Sequence, residues 1–283
     1  MHKKNSPSIP EFGGIAPVIS TFIAMTLPFM FLKLNHSFEI TALMVTIFLI
    51  TMIGLFDDIK GIRQRFKIGL CAVAGLPLCF TVHDPTLRFS LLGTINLGVL
   101  YYLFVVLTVT TSANLVNLLA GFNGLETGMG IVCVTTLALI LMISRQIEFL
   151  VIILPFLAAL IGFIHYNWYP AKTFPGDTLT LTIGAILASL AILTKTEFYL
   201  ALLLLPHFAD FLLKIFVGFK GRILYGNTTL NPDGTLAPAP YPALAHKLLK
   251  MIPMTEKQLV KTLIGLEIFF AIITISLSVL NYK

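Results

Sequence analysis

Residues 53–70 read IGLFDDIKGIRQRFKIGL. An apolar run that begins near Ile40 ends on two adjacent carboxylates, Asp57 and Asp58. Cations follow at Lys60, Arg63, Arg65 and Lys67, and the chain then turns apolar again. Runs of this length cross roughly 30 Å of hydrocarbon, so the stretch predicts two membrane helices joined by a short charged connection at one surface.

The rest of the chain repeats the pattern. Hydrophobic residues make up 57% of the 283 and charged residues only 11%, which is the composition of a polytopic membrane protein. Apolar stretches are legible at about 15–32, 38–56, 66–82, 97–112, 125–143, 149–165, 178–193, 198–219 and 259–280. The expected fold is therefore all-α with about nine transmembrane helices, forming one integral membrane domain over 1–283. TLRFSLLGTINLG, residues 86–98, adds a small β-hairpin, and 220–258 forms a long loop within the domain. Cys71, Cys79 and Cys133 lie in apolar runs without metal-ligand spacing and read as inert core residues. The opening MHKKNSPSIPEFGG lacks the apolar segment of a cleavable signal.

Nine spans place every connection on one of two sides. One side collects Lys3, Lys4, Lys60, Arg63, Arg65, Lys67, Lys172, Lys220, Arg222, Lys247, Lys250 and Lys257, and the other holds Lys33, Arg88, Arg145, Lys195 and Lys283. The positive-inside rule makes the richer side cytoplasmic. Because the cations lie between spans, the net charge of +6 reports orientation, and no nucleic-acid partner is expected.

The cation-rich side also carries the unusual polar motifs. A lone acid at a membrane interface reads as a solvated helix end. Two in contact at a helix C-terminus, the unfavourable end for anions, point to an offsetting cation or metal. In NLVNLLAGFNG, Asn114 and Asn117 share a helix face, and Gly121 and Gly124 flank Asn123 where the helix should break. These amides suit a hard cation such as Mg²⁺ or serve as a packing and capping device. In FPGDTLTLTIGAILA, Asp177 follows Pro175 and Gly176 and opens an apolar helix, either as its N-cap or as a carboxylate beside a phosphate held through a metal. HYNWYP reads as an aromatic belt, with Trp168 its clearest member; Phe174, beside the glycine turn, could stack on a base. NPDG marks a turn, YPALAHKLLKMIP a short interfacial helix, and Asn227 heads a glycosylation sequon whose expected cytoplasmic side argues against its use.

Acids, amides and cations on one membrane face suit metal-assisted handling of a pyrophosphate and a lipid phosphate. Walker, nucleophile-elbow and zinc-protease motifs are absent from the sequence. An ion-coupled transporter would place its acids nearer the midplane, with a repeat pair, and a lipid-binding scaffold would have no nucleotide affinity.

From SIPEFGGI through GLFDDIKGIRQRFK, NLVNLLAGFNGLETG and HYNWYPAKTFPGDT, nearly the whole chain resembles the polyprenyl-phosphate N-acetylhexosamine-1-phosphate transferases. It is most similar to their eukaryotic and archaeal dolichyl-phosphate GlcNAc-1-phosphate branch. The bacterial phospho-muramoyl-pentapeptide branch, with its triple-histidine loop, is more distant. The resemblance implies Mg²⁺-dependent transfer of GlcNAc-1-phosphate from UDP-GlcNAc to a polyprenyl or dolichyl phosphate, with Mn²⁺ as the alternative ion. UMP is released, and the step starts lipid-linked N-glycan assembly. Another UDP-N-acetylhexosamine used for cell-wall or surface polysaccharide is the alternative substrate.

The resemblance further implies that Asn117 and Asp177 hold the metal and that Asp57, Asp58 and Lys67 form the catalytic group. Asn114, Asn123, Glu126 and Phe174 would bind substrate, with Asn123 and Phe174 on uracil, while Lys220 and Arg222 would face sugar and pyrophosphate. Membrane lipid is a partner, a homodimer is left open, and the active site is expected on the cytoplasmic face of the cell membrane or endoplasmic reticulum. Two departures stand out. The family usually has ten spans, and the one preceding IPEFGG has no counterpart here. Its arginine-histidine-arginine element reads KGR, where Lys220 loses the bidentate fork of arginine.

Overall fold

The computed structural model describes residues 8–31, 34–90, 93–215, 228–240 and 242–282. The apolar runs form helices, two of them carrying an interior proline, Pro28 and Pro155: α1 (Ile15–Phe31), α2 (Ser37–Lys60), α3 (Gln64–Ala74), α4 (Leu100–Leu118), α5 (Leu125–Ile143), α6 (Leu150–Asn167), α7 (Gly176–Thr194), α8 (Glu197–Leu203), α9 (Leu205–Ile215), α10 (Leu244–Met251) and α11 (Glu256–Asn281). β1 (Thr86–Phe89) and β2 (Gly93–Asn96) form the antiparallel hairpin expected from sequence, with Thr86 opposite Asn96. A second two-stranded pair, β3 (Thr229–Leu230) with β4 (Leu236–Ala237), brackets the Asn231–Gly234 turn.

Six of these helices are individually long and apolar enough to cross a membrane, and α8 with α9, bent by 62°, can count as a seventh. The first expected span is present as α1, 17 residues long, and the nine continuous spans expected from sequence are corrected in two places. The third is the short α3 followed by a 3-10 turn over Leu76–Thr81, where Gly75 and Pro77 interrupt the α-helical ladder. The eighth breaks at Leu204, just before Pro206.

Contacts between helix ends show that even the broken segments run the length of the bundle. Lys67 at the start of α3 bonds Asp57 at the end of α2, while His83, just past the 3-10 turn, faces Glu39 at the start of α2. Likewise Glu197 at the start of α8 meets Tyr101 at the start of α4, and Lys214 at the end of α9 reaches the Leu118 carbonyl at the end of α4.

α7 is the axis of the molecule, with every residue from Thr178 to Ile192 buried. It is packed by α2 on one side and α4 on the other. The α2 crossing is close: a Cβ on Gly54 would lie 2.6 Å from the Asp177 carbonyl oxygen, so only glycine allows these two helix ends to meet. The main core fills the space among α2, α4, α5, α6 and α7. A second cluster, with Leu119, Phe122, Met129, Leu236, Leu249, Met254 and Leu259, fastens β4, α10 and α11 beneath the turn that follows α4. Trp168 packs against that cluster, and a Cβ on Gly124 would stand 2.6 Å from its ring. The belt reading of Trp168 is thus replaced by a packing role. Cys133 is a buried core residue, as expected from sequence, and its thiol donates to the Glu267 carboxylate at 2.9 Å.

Candidate active site

Four helix ends converge at the adjacent acids Asp57 and Asp58. α2 delivers its C-terminal Asp57 and Asp58 against the N-terminus of α7, and this explains two acids at the unfavourable end of a helix. Asp58 belongs electrostatically to α7: its carboxylate accepts from the Asp177 amide at 2.7 Å, the Thr178 amide at 2.9 Å and the Thr178 hydroxyl at 2.5 Å. It supplies the anionic cap that the residues next to α7 do not, since Pro175 makes no side-chain cap. Gly176, at φ 62°, makes the approach possible, because a Cβ there would sit 2.5 Å from Asp58 Oδ2.

With Asp58 occupied, Asp57 and Asp177 face each other across one cation. The buried Lys67 donates to Asp57 Oδ2 at 2.9 Å and to Asp177 Oδ2 at 2.5 Å. Asp57 also accepts from the Ile62 amide, a bond that folds the connection back after Gly61. Asn117 donates from Nδ2 to Asp177 Oδ2 at 3.0 Å, and its Oδ1 accepts from the Thr180 hydroxyl at 3.0 Å. Asn114, one turn earlier, is satisfied by the Thr110 carbonyl and by Gln64.

Beyond Asn117 the chain breaks through Gly121 and Gly124, at φ 113° and 84°. Glu126 accepts from the Gly121 amide at 2.7 Å, and Glu256 of α11 accepts from the Asn123 amide at 2.8 Å. One oxygen of each predicted substrate ligand there, Asn123 Oδ1 and Glu126 Oε2, is buried without a hydrogen-bond partner. Unpaired buried acceptors are costly. Glu126 belongs to the wall of a cavity of about 280 Å³ lined also by Glu11, Asp58, Asn117, Gly121, Phe174, Asp177 and Thr180 among others, and Asn123 lies in the same turn beside it. Its roof is the N-terminal stretch, held by Pro10 accepting from the Phe174 amide and Gly13 donating to the Phe174 carbonyl.

The structure therefore brings Asp57, Asp58, Lys67, Asn117 and Asp177 into one contact network, and places Glu126 and Phe174 on the adjoining cavity with Asn123 in the same turn. Asn114 joins through Gln64 at the edge. Lys220 and Arg222 lie outside the described residues, as does Asn227. Glu11, Thr180 and Glu256 escaped the sequence reading. Glu11 had a signal, an acid two residues before the Gly13–Gly14 pair, but nothing in sequence joins Glu256 to a turn 133 residues away.

The donor set suits a hard divalent cation. Among the described residues no group of three or more His, Cys, Asp or Glu converges on one point. Mg²⁺ asks for less, binding through one or two carboxylates while waters and substrate phosphates complete its shell. A cation, the Lys67 ammonium, already lies between two carboxylates here.

Residues 40–195 match the family described as glycosyl transferase family 4. A provisionally named glycosyltransferase of Methanocaldococcus jannaschii is 35% identical over 282 residues, covering 99% of this chain and 87% of that protein. The UDP-N-acetylglucosamine–dolichyl-phosphate N-acetylglucosaminephosphotransferase of Dictyostelium discoideum is 28% identical over 92% of this chain and 76% of its own length. The phospho-N-acetylmuramoyl-pentapeptide-transferase of Clostridium beijerinckii is 29% identical over 70% of this chain and 64% of its own.

Proposed function

The chain belongs to glycosyl transferase family 4, and from that premise we propose that it transfers GlcNAc-1-phosphate from UDP-GlcNAc to a polyprenyl or dolichyl phosphate. The observation that carries the reading is the Asp57–Lys67–Asp177–Asn117 network at the edge of a cavity whose wall includes Glu126 with its unpaired oxygen. An oxygen of the lipid phosphate attacks the β-phosphorus, the bond from that phosphorus to the bridging oxygen breaks, and UMP leaves.

The residues divide the work. Phe174 offers a ring to the base, and the Asn123 and Glu126 oxygens accept from nucleotide N–H and O–H groups. Asp177 and Asn117, with Asp57 near, would hold Mg²⁺ or Mn²⁺, which when bound neutralises pyrophosphate charge and makes UMP a better leaving group. Lys67 holds phosphate oxygens and balances the two carboxylates. A lipid phosphate with a second pKa of about 6 is mostly dianionic at neutral pH, so Asp57 orients the acceptor or removes a residual proton. Asp58 keeps Asp177 in place by capping α7.

Two apolar grooves approach the network. One, about 420 Å³ between α2 and α3, ends at Lys60, and the Asp57–Lys67 bridge closes the seam above it. The other, about 440 Å³, follows α4 between Phe104 and Leu115 against the bent α8–α9 pair and ends within a turn of Asn117. The second takes the isoprenoid tail. The cation excess at the site end supports a cytoplasmic active site, where the step would start lipid-linked oligosaccharide assembly.

Purified protein given UDP-GlcNAc, Mg²⁺ and undecaprenyl phosphate should release UMP and form a lipid-linked GlcNAc-phosphate; no UMP with any UDP-N-acetylhexosamine refutes the reading. The likeness to the C. beijerinckii transferase favours one second reading, the same chemistry with another UDP-sugar, which a donor panel decides.

A further inference from the structure

α9 is an inverted helix. Its apolar side chains Leu205, Phe208 and Leu212 face outward, and Leu205 and Phe208 line the α4 groove, while its polar side chains His207, Asp210 and Lys214 are buried. The spacing of three and four residues puts those three on one face. At the site end the face is anchored: Lys214 bonds Asp210 at 2.6 Å and donates to the Leu118 carbonyl at 2.5 Å, and Asp210 accepts from the Leu244 amide at 2.8 Å.

Deeper in the bundle the face meets a three-helix polar cluster that the transfer reaction does not use. Glu267 of α11, fully buried, takes the Cys133 thiol of α5 on one oxygen and turns the other toward His207 Nδ1, 3.7 Å away. Neither Glu267 Oε2 nor His207 Nδ1 has a hydrogen-bond partner. Glu267 lies eleven residues into its helix, about 16 Å below the site at 1.5 Å per residue, where an ionisable group is expensive and packing alone would favour leucine. His207 also sits three residues beyond the break at Leu204, on the segment whose other face forms the groove.

We propose that Glu267, His207 and Cys133 form an intramembrane pin that fixes α9 relative to α4, so that they act as positioning residues for the isoprenoid tail of the lipid acceptor. The proposal rests on the groove assignment made above. The site end of α9 is already tied down by Lys214 and Asp210; nearer the 62° break apolar contacts alone would let the segment slide along its neighbours, whereas a polar pair inside hydrocarbon has one partner position. Loss of the pin should therefore widen or close the groove without touching the nucleotide cavity, whose nearest ties run through Glu256 and Asp58.

The test measures both substrates separately in lipid nanodiscs. Glu267→Leu and His207→Leu should each raise the KM for undecaprenyl phosphate roughly tenfold, the scale of a lost buried polar coupling, while the KM for UDP-GlcNAc stays within about twofold. Glu267→Gln, which keeps a partner for Cys133 but loses the carboxylate facing His207, should give roughly a threefold rise. The double leucine variant should be no worse than either single one. Equal shifts in both KM values, or an unchanged lipid KM in a folded variant, overturn the pin, as does additivity in the double variant. If Glu267→Leu is not recovered folded, Glu267→Gln carries the same comparison, and a wild-type lipid KM overturns the proposal. Undecaprenyl phosphate binding followed by native mass spectrometry needs no turnover: weakened binding in the leucine variants supports the pin even if wild type releases no UMP, and equal binding refutes it.

Discussion

Both ends of the helical bundle carry clusters of charged side chains and use them differently. At the end away from the site, Glu197 takes the Tyr101 hydroxyl, and Lys195 donates to that hydroxyl at 2.9 Å and lies 4.1 Å over its ring. Lys195 also donates to the Asp84 carbonyl. Asp84 pairs with Arg88 at 3.2 Å, and the Thr86 hydroxyl and amide hold its carboxyl below the usual range. Those contacts tie the hairpin to α4 and the α7–α8 turn. At the site end, one ammonium is shared by two acids, a third acid is spent on capping another helix, and a buried, unpaired Glu126 oxygen adjoins a cavity. Buried charge therefore does not mark a reaction centre by itself; what sets the proposed site apart is an ammonium shared between two acids next to that cavity.

The hardest attempt to break that contrast is Asp177→Asn. It removes one of the two carboxylates on Lys67 without changing volume, and turnover should fall at least about 10³-fold, the scale of losing a preorganised electrostatic group. Melting temperature should change little, because Asn can still accept from Asn117 and Lys67. Near-normal turnover would make the site end another structural charge cluster. Asp58→Ala is expected to be milder and mixed. Losing the cap of α7 should lower stability by about 1–2 kcal/mol and turnover about 10²-fold through displacement of Asp177. Asp58→Asn should recover part of both, read by melting and UMP release together. Phe174→Ala should weaken UDP-GlcNAc binding roughly tenfold, the range of one ring–base stack, and leave the acceptor KM alone; calorimetry with UDP decides it.

Which of these contrasts could be read from sequence depends on the distance over which each was encoded. Helices, the hairpin and the breaks at Gly121 and Gly124 are set by local runs of apolar residues and turn formers, and they were legible. So was the convergence of FDD, NLVN and PGD on one face, because alternation of spans assigns sides. The reach of Asp58 to α7 was not, since a cap normally comes from the residues just before the helix. For the same reason Asp177, taken alone, read better as a cap than as a ligand. Trp168 looked like a belt residue because sequence cannot show the second core that lies against it, and Cys133 read as core without sign of the Glu267 partner 134 residues away. The interruption of the third and eighth spans was written in Gly75, Pro77 and Pro206, but hydropathy averages across single residues.

The far end supplies the opposite test. Glu197→Ala should cost about 3 kcal/mol, since it leaves the Tyr101 hydroxyl and Lys195 around a vacated carboxylate in a buried setting, yet kcat should stay within about twofold. A large fall in kcat without loss of fold would mean that the two ends are mechanically linked along α4.

Arg88→Ala should be the least consequential change and is the sharpest control. Its partner Asp84 is 39% exposed and Arg88 itself 57%, so water already screens the pair and the expected stability change is below about 0.5 kcal/mol. Strand β1 keeps its register, because pairing with β2 is made by backbone groups and Arg88 faces Thr94. Turnover, both KM values and salt dependence should match wild type. Arg88 lies beside the same Asp84 that Lys195 holds, so a loss of turnover here would show that the far-end charges act as one unit transmitted to the site. The division between an end that binds the fold together and an end that performs chemistry would then have to be abandoned.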